Sequence, residues 1–164
     1  MIRSTVIILF LTNIVDVSWG QETPHIVDDQ FSEHPFEVEL TPATMHKVAP
    51  GKFSSEKKAE PNKHTGEIDT LLIFKSANDE FTFLKTIDKV WFVEATISGR
   101  GIKLAKGIRI GLPKSTFISI FGVDEKFNET NPIIVTNTIE YGFYHTFYFE
   151  KGKLAKIVLN AWPD

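Results

Sequence analysis

Cysteine is absent from this 164-residue chain. Small exported domains usually gain stability from disulfides when their cores are thin. That route is closed here, and so is lipid attachment at a leader junction. A concentrated block of positive charge is also missing. Eighteen Lys and Arg face 21 Asp and Glu, for a net charge of −3. Nucleic acid and anionic membrane both need a dense basic surface, so neither is expected as the main partner. Lys57-Lys58 and the lysines scattered over 103–114 read as ordinary solvated charge. Beyond the first 20 residues no apolar run approaches the roughly 20 residues that span a bilayer as a helix. No catalytic or cofactor motif stands out, so no catalytic residue, cofactor or metal is assigned.

What is present begins with a leader. Arg3 supplies a positive start and Val6 to Leu11 an apolar run, extended by Ile14, Val15 and Val17. Ser18-Trp19-Gly20 places small residues at a signal peptidase site, with cleavage before Gln21. The other reading is a buried N-terminal helix, interrupted by Thr12, Asn13 and Asp16. The leader reading makes the protein exported, periplasmic or secreted, and soluble after cleavage near Gly20-Gln21. A mature chain of about 140 residues is long enough to bury a real core by packing alone. A cysteine-free exported chain fits a bacterial periplasm better than an animal secretory pathway. Asn128-Glu129-Thr130 is a glycosylation sequon that would matter only in a eukaryote.

Residues 21–34 are polar and acidic and are expected to be a flexible tail. A single strand-rich domain then covers 35–164. Phe36, Val38 and Leu40 alternate with Glu37 and Glu39, which predicts a short strand. Residues 47–66, rich in Lys, Pro, Gly and Ser, predict a long loop. Leu71 to Lys75 and Phe81 to Leu84 flank Ala77-Asn78-Asp79 as a hairpin. Val90 to Ile97 follows as a strand, with Trp91, Val93, Ala95 and Ile97 on one face and Phe92, Glu94 and Thr96 on the other. One helix is expected after Pro113, with Phe117, Ile120 and Phe121 on one side and Gly122 as its left-handed stop. Strands return at Ile133 to Val135, Phe143 to Phe149 and Leu154 to Trp162, the last two joined at Lys151-Gly152. Ala155, Ile157, Leu159 and Ala161 are expected to share a face. The fold class is therefore α+β: a twisted antiparallel sheet of six to seven strands with one short helix packed on it.

The run Ile108-Arg109-Ile110-Gly111-Leu112-Pro113-Lys114, the helix through Phe117 to Phe121, and Gly122 resemble a segment of outer-membrane assembly lipoproteins of the BamE (SmpA/OmlA) type. The closing hairpin, Phe147 to Leu154, is similar to that family's last strands. The resemblance covers residues 108–162. It implies a sheet-and-helix module that binds other proteins and performs no chemistry.

Five histidines are present. His25, His34, His46 and His64 fall in tail or loop positions, and none forms the H-x-x-x-H or H-x-H spacing of a metal site. His145 sits mid-strand on the face of Phe143 and Phe147, as a core histidine with bonded ring nitrogens or as a general base or switch. The acidic pairs Asp28/Asp29, Asp79/Glu80 and Asp124/Glu125 fall in turns or the tail, where solvated acids are the rule. Binding is better served by the aromatics. Tyr144 and Tyr148, with Trp91, Phe92 and Trp162, would form either an exposed patch or a second core layer.

These readings converge on an exported, non-enzymatic binding or scaffold module whose aromatic sheet face contacts an envelope protein. The alternative is a small-ligand or glycan-binding protein with a pocket beside the sheet. A hydrolase built on His145 ranks last.

Overall fold

The computed structural model describes residues 25–62, 65–138 and 142–161. The expected leader at 1–20 and its expected cleavage point, His64 and Trp162 lie outside the described residues.

The α+β class holds, with eight strands in one sheet. In chain order they are β1 (His25–Val27), β2 (Ser54–Pro61), β3 (Ile68–Lys75), β4 (Asp79–Lys85), β5 (Val90–Ile97), β6 (Ile133–Thr136), β7 (Tyr144–Glu150) and β8 (Lys153–Asn160). Their order across the sheet is β1-β6-β7-β8-β5-β4-β3-β2. Each neighbouring pair is antiparallel except β1 with β6, which is parallel, so the sheet is mixed.

Two segments expected to be irregular are ordered. Instead of a polar tail, residues 25–33 form β1 and a one-turn helix, α1 (Asp29–Glu33). Ile26 and Phe31 are buried, and Asp28 caps α1 by accepting from the Phe31 N–H at 2.9 Å. Two apolar side chains and one cap suffice for elements this short. The expected loop at 47–66 contains β2, paired with β3 along its whole length. Almost every β2 side chain is exposed. As an outer strand it is held by its backbone ladder and needs no apolar pattern, and its Lys, Glu and Pro residues discourage pairing with other chains. Conversely, 36–40 is not a strand. Glu37 takes a left-handed φ of 59°, which breaks the extended run.

The expected helix forms as α3 (Lys114–Phe121), with Pro113 at its N-cap and Gly122 at φ 61° closing it. A further one-turn helix, α2 (Met45–Val48), precedes β2.

Two β-bulges reassign faces. In β5 the register runs Thr82↔Glu94 and then Phe83↔Phe92, so Val93 is the extra residue. Phe92 is thereby moved to the face of Ala95 and Ile97, leaving Trp91 on the other. In β8, Tyr148↔Lys156 is followed by Phe149↔Leu154, which makes Ala155 the extra residue. Leu154, rather than Ala155, joins Ile157 and Leu159 in the core. A bulge inserts one residue and inverts the alternation beyond it.

The core lies between one sheet face and a layer made by α1, the chain from 35 to 49, residues 102–108 and α3. Phe117 of α3 packs on Phe147 at 4.8 Å and on Phe149 at 5.3 Å between ring centres. Each such buried phenylalanine contributes on the order of 2–3 kcal/mol. The opposite face carries Glu94, Tyr144, Tyr148 and Lys156 toward solvent. Among the described residues no helix is long and apolar enough to cross a membrane.

Candidate binding groove

The chain leaves α1 at His34 and passes across the start of β5. The Pro35 carbonyl anchors this passage by accepting from the Ala105 N–H at 2.8 Å. Phe36 then turns inward, 6.2 Å from both Phe81 and Phe92 between ring centres. Val38 remains 43% exposed.

On the sheet side, among the described residues, β5 and β8 pair from Glu94↔Asn160 to Ile97↔Ile157. The Ala161 N–H also donates to the Val93 carbonyl at 2.8 Å. Val90, Trp91 and Phe92 make one wall of a groove, Gly142 and Phe143 another, and segment 33–40 forms the third wall. The resulting groove encloses about 740 Å³. Its lining is largely apolar and aromatic and includes Phe36, Val38, Trp91, Phe92 and Phe143. Its rim holds Glu33, Glu37 and Glu39, all exposed.

Gly142 is required at its position, because a Cβ there would overlap the Asn137 amide. That amide is buried and has no hydrogen-bond partner among the described residues. A smaller hollow of about 520 Å³ lies under β2–β4, with Lys57 and Lys85 opposing Glu56 and Glu67.

The aromatic residues singled out from the sequence divide. Trp91 and Phe92 meet in the groove. Phe92 therefore does not join Tyr144 and Tyr148; the β5 bulge sends it to the covered face. Tyr144 and Tyr148 are 50% and 38% exposed on the open face, and no second core layer covers them among the described residues. The residues that sequence reasoning missed are the third wall, Glu33 to Glu39. Its alternation of apolar and acidic side chains was the available signal, and it was read as a strand.

His145 is fully buried on the covered face. Its Nε2–H donates to the Ser32 carbonyl at 2.9 Å, and the Phe31 ring meets it edge-on at 6.0 Å. Its Nδ1 has no partner. Burial pushes its pKa down to about 4, against the opposing pull of the hydrogen bond to the Ser32 carbonyl. The imidazole is thus a neutral core group, and only the Ser32 carbonyl, not its hydroxyl, engages it.

Asp28, Asp29 and Asp79 tie segments of the fold together, whereas Asp124 is exposed. Asp28 bonds Lys106 at 2.7 Å as well as capping α1. Burial works against the Asp28 carboxylate, but Lys106 and the Phe31 N–H outweigh it and lower its pKa. Asp29 accepts from the Thr138 N–H at 2.7 Å. Asp79 accepts from the N–H groups of Ser98 and Gly99 at 3.1 and 2.8 Å, tying the β3–β4 turn to the exit of β5. Asp124 lies 3.9 Å from Lys126. Among the described residues no three His, Asp or Glu side chains gather as a metal-binding set.

No family model matches the chain, and no curated protein or solved structure does either.

Proposed function

We propose that this protein is an exported, non-enzymatic binding module that takes its ligand in the groove between segment 33–40 and the start of β5. The observation that carries this reading is the groove itself: about 740 Å³ with Phe36, Trp91, Phe92 and Phe143 in its lining. Ligand sites are typically concave, largely apolar and of this size. The arrangement offers no nucleophile beside a base, since His145 is sealed in the core. The resemblance of residues 108–162 to a binding module without chemistry points the same way. Export rests on the leader at residues 1–20, and N-terminal sequencing of the natural protein tests it: a chain starting at Gln21 is expected, and a retained Met1 would sink that part.

The groove is tested with N-phenyl-1-naphthylamine, a neutral apolar dye that brightens when it leaves water. Saturable binding to the full chain is expected, weakened at least about tenfold by Trp91→Ala combined with Val38→Ser. Saturable binding that the double variant leaves unchanged would overturn the assignment. A second reading, contact with an envelope protein through the open sheet face, is favoured by the exposure of Tyr144 and Tyr148. It makes Tyr144→Ala with Tyr148→Ala the variant that loses a crosslinked partner.

A further inference from the structure

We propose that the open face of the sheet is closed by a second copy of this chain, packed face to face about a two-fold axis that runs across the strands. The groove has no part in this, because none of the side chains involved lines it. The face is the one that the second reading above gives to an envelope protein; here its occupant is the chain itself.

The register carries the argument. Ile134, Thr146, Val158 and Thr96 stand side by side on β6, β7, β8 and β5, and all four are half-buried. They form a middle row on the open face. Residues two apart in a strand share a face. On β7, Tyr144 and Tyr148 therefore lie symmetrically about Thr146, and on β8, Asn160 and Lys156 lie symmetrically about Val158. A two-fold axis along the middle row sets each Tyr144 against the second copy's Tyr148, and Ile134 and Val158 against themselves. A two-fold contact demands this reciprocity: if one residue meets another across it, the second must meet the first in return.

Charge agrees with the same axis. It brings the second copy's Lys156 to Asn160, and Asn160 is the cross-strand partner of Glu94. Side chains opposed in this way stand about 5 Å apart at Cβ, so the ammonium is within reach of the Glu94 carboxylate, once on each side of the axis. Glu94 and Lys156 are both exposed, and neither forms an ion pair among the described residues. Elsewhere on this face Glu56 and Glu80 already share Lys75. The Lys156 ammonium lies 5.6 Å from the Tyr148 ring centre, which keeps it beside the aromatic pair. An apolar and aromatic centre with charge around it is the usual anatomy of a protein interface. Stacking of two sheets with nearly aligned strands is the geometry that such a face accepts.

Sedimentation equilibrium of the full chain over a concentration series tests this. A monomer–dimer equilibrium is expected, with a melting temperature that rises with protein concentration. Lys156→Glu alone and Glu94→Lys alone should each weaken the dimer at least about tenfold, because like charges then meet twice in one interface. Made together, the two changes exchange the signs and should return the dimer to near its original strength. Tyr144→Ser with Tyr148→Ser should leave a monomer. All four side chains are exposed, and an unchanged circular dichroism spectrum shows that each variant is folded.

A monomer throughout the series would overturn the inference. So would a dimer that ignores the single charge reversals or is not rescued by the pair, since its contact then lies elsewhere. A monomeric chain that captures an envelope protein through Tyr144 and Tyr148 gives the face to that protein and overturns it as well. The naphthylamine result is independent of all of these, so failure here leaves the groove reading standing.

Discussion

His145 shows how one buried ring can set the acid limit of the fold. Its pKa stands near 4 in the folded protein, against about 6.5 when the chain is unfolded. Above both values neither state is protonated and the ring has no effect on pH dependence. As pH falls through 6.5, the unfolded chain binds a proton that the native chain refuses, so stability declines. The loss is complete near pH 4 and amounts to about 3 kcal/mol. Asp28 acts in a different window, because a lowered carboxylate pKa costs stability only as pH falls below its ordinary value of 3.8. Urea denaturation at pH 7 and pH 4.5 should therefore show a marked drop in midpoint. In His145→Leu that drop should largely vanish, at the cost of about 1–2 kcal/mol at pH 7, because the Ser32 carbonyl loses its donor. A second test is steric. Gly142→Ala forces a methyl onto the buried Asn137 amide and should lower stability by about 1–3 kcal/mol, read as a fall in melting temperature.

Among strands and helices, β2 is the most exposed to misuse. It is an outer strand of eight residues whose side chains nearly all meet solvent. Lys57→Ile with Lys58→Val should leave the circular dichroism spectrum intact and drive the protein into larger species on size-exclusion chromatography, because the charges guarding the edge are gone. The same strand explains where the sequence was opaque. β2 carries no apolar rhythm, since a strand with one neighbour is held by main-chain bonds. β1 and α1 were hidden because three and five residues are too few to show a period. The bulges at Val93 and Ala155 broke strict alternation, and nothing in the residues flanking them marks an insertion. By contrast, α3 was legible from Pro113 and Gly122, and the hairpins β3–β4 and β7–β8 from Asn78-Asp79 and Lys151-Gly152. Of the groove, Trp91 and Phe92 were singled out, but the wall opposite them was not. That wall is brought there by a turn at Glu37, in left-handed backbone that a glutamate does not advertise.

Across the fold, the N-terminal segment is part of the core rather than an appendage. Ile26 and Phe31 are buried, and the Ser32 carbonyl accepts a hydrogen bond from the His145 ring. Phe31→Ala should cost about 3–5 kcal/mol, a large share of the 5–15 typical of a domain. Removal of residues 1–33 should therefore abolish the cooperative melt in calorimetry. A truncated chain that still unfolds sharply at a similar temperature would show that 25–33 only decorates the sheet.

The parallel pairing of β1 with β6 also sets a timetable. Asp29 and Thr138 hydrogen-bond although 109 residues separate them. Residues 25–33 leave the ribosome early, yet their place in the sheet exists only once β6 has been made. Until then the newborn chain keeps Ile26 and Phe31 without their burial site. Completion of the sheet thus waits on the later strand.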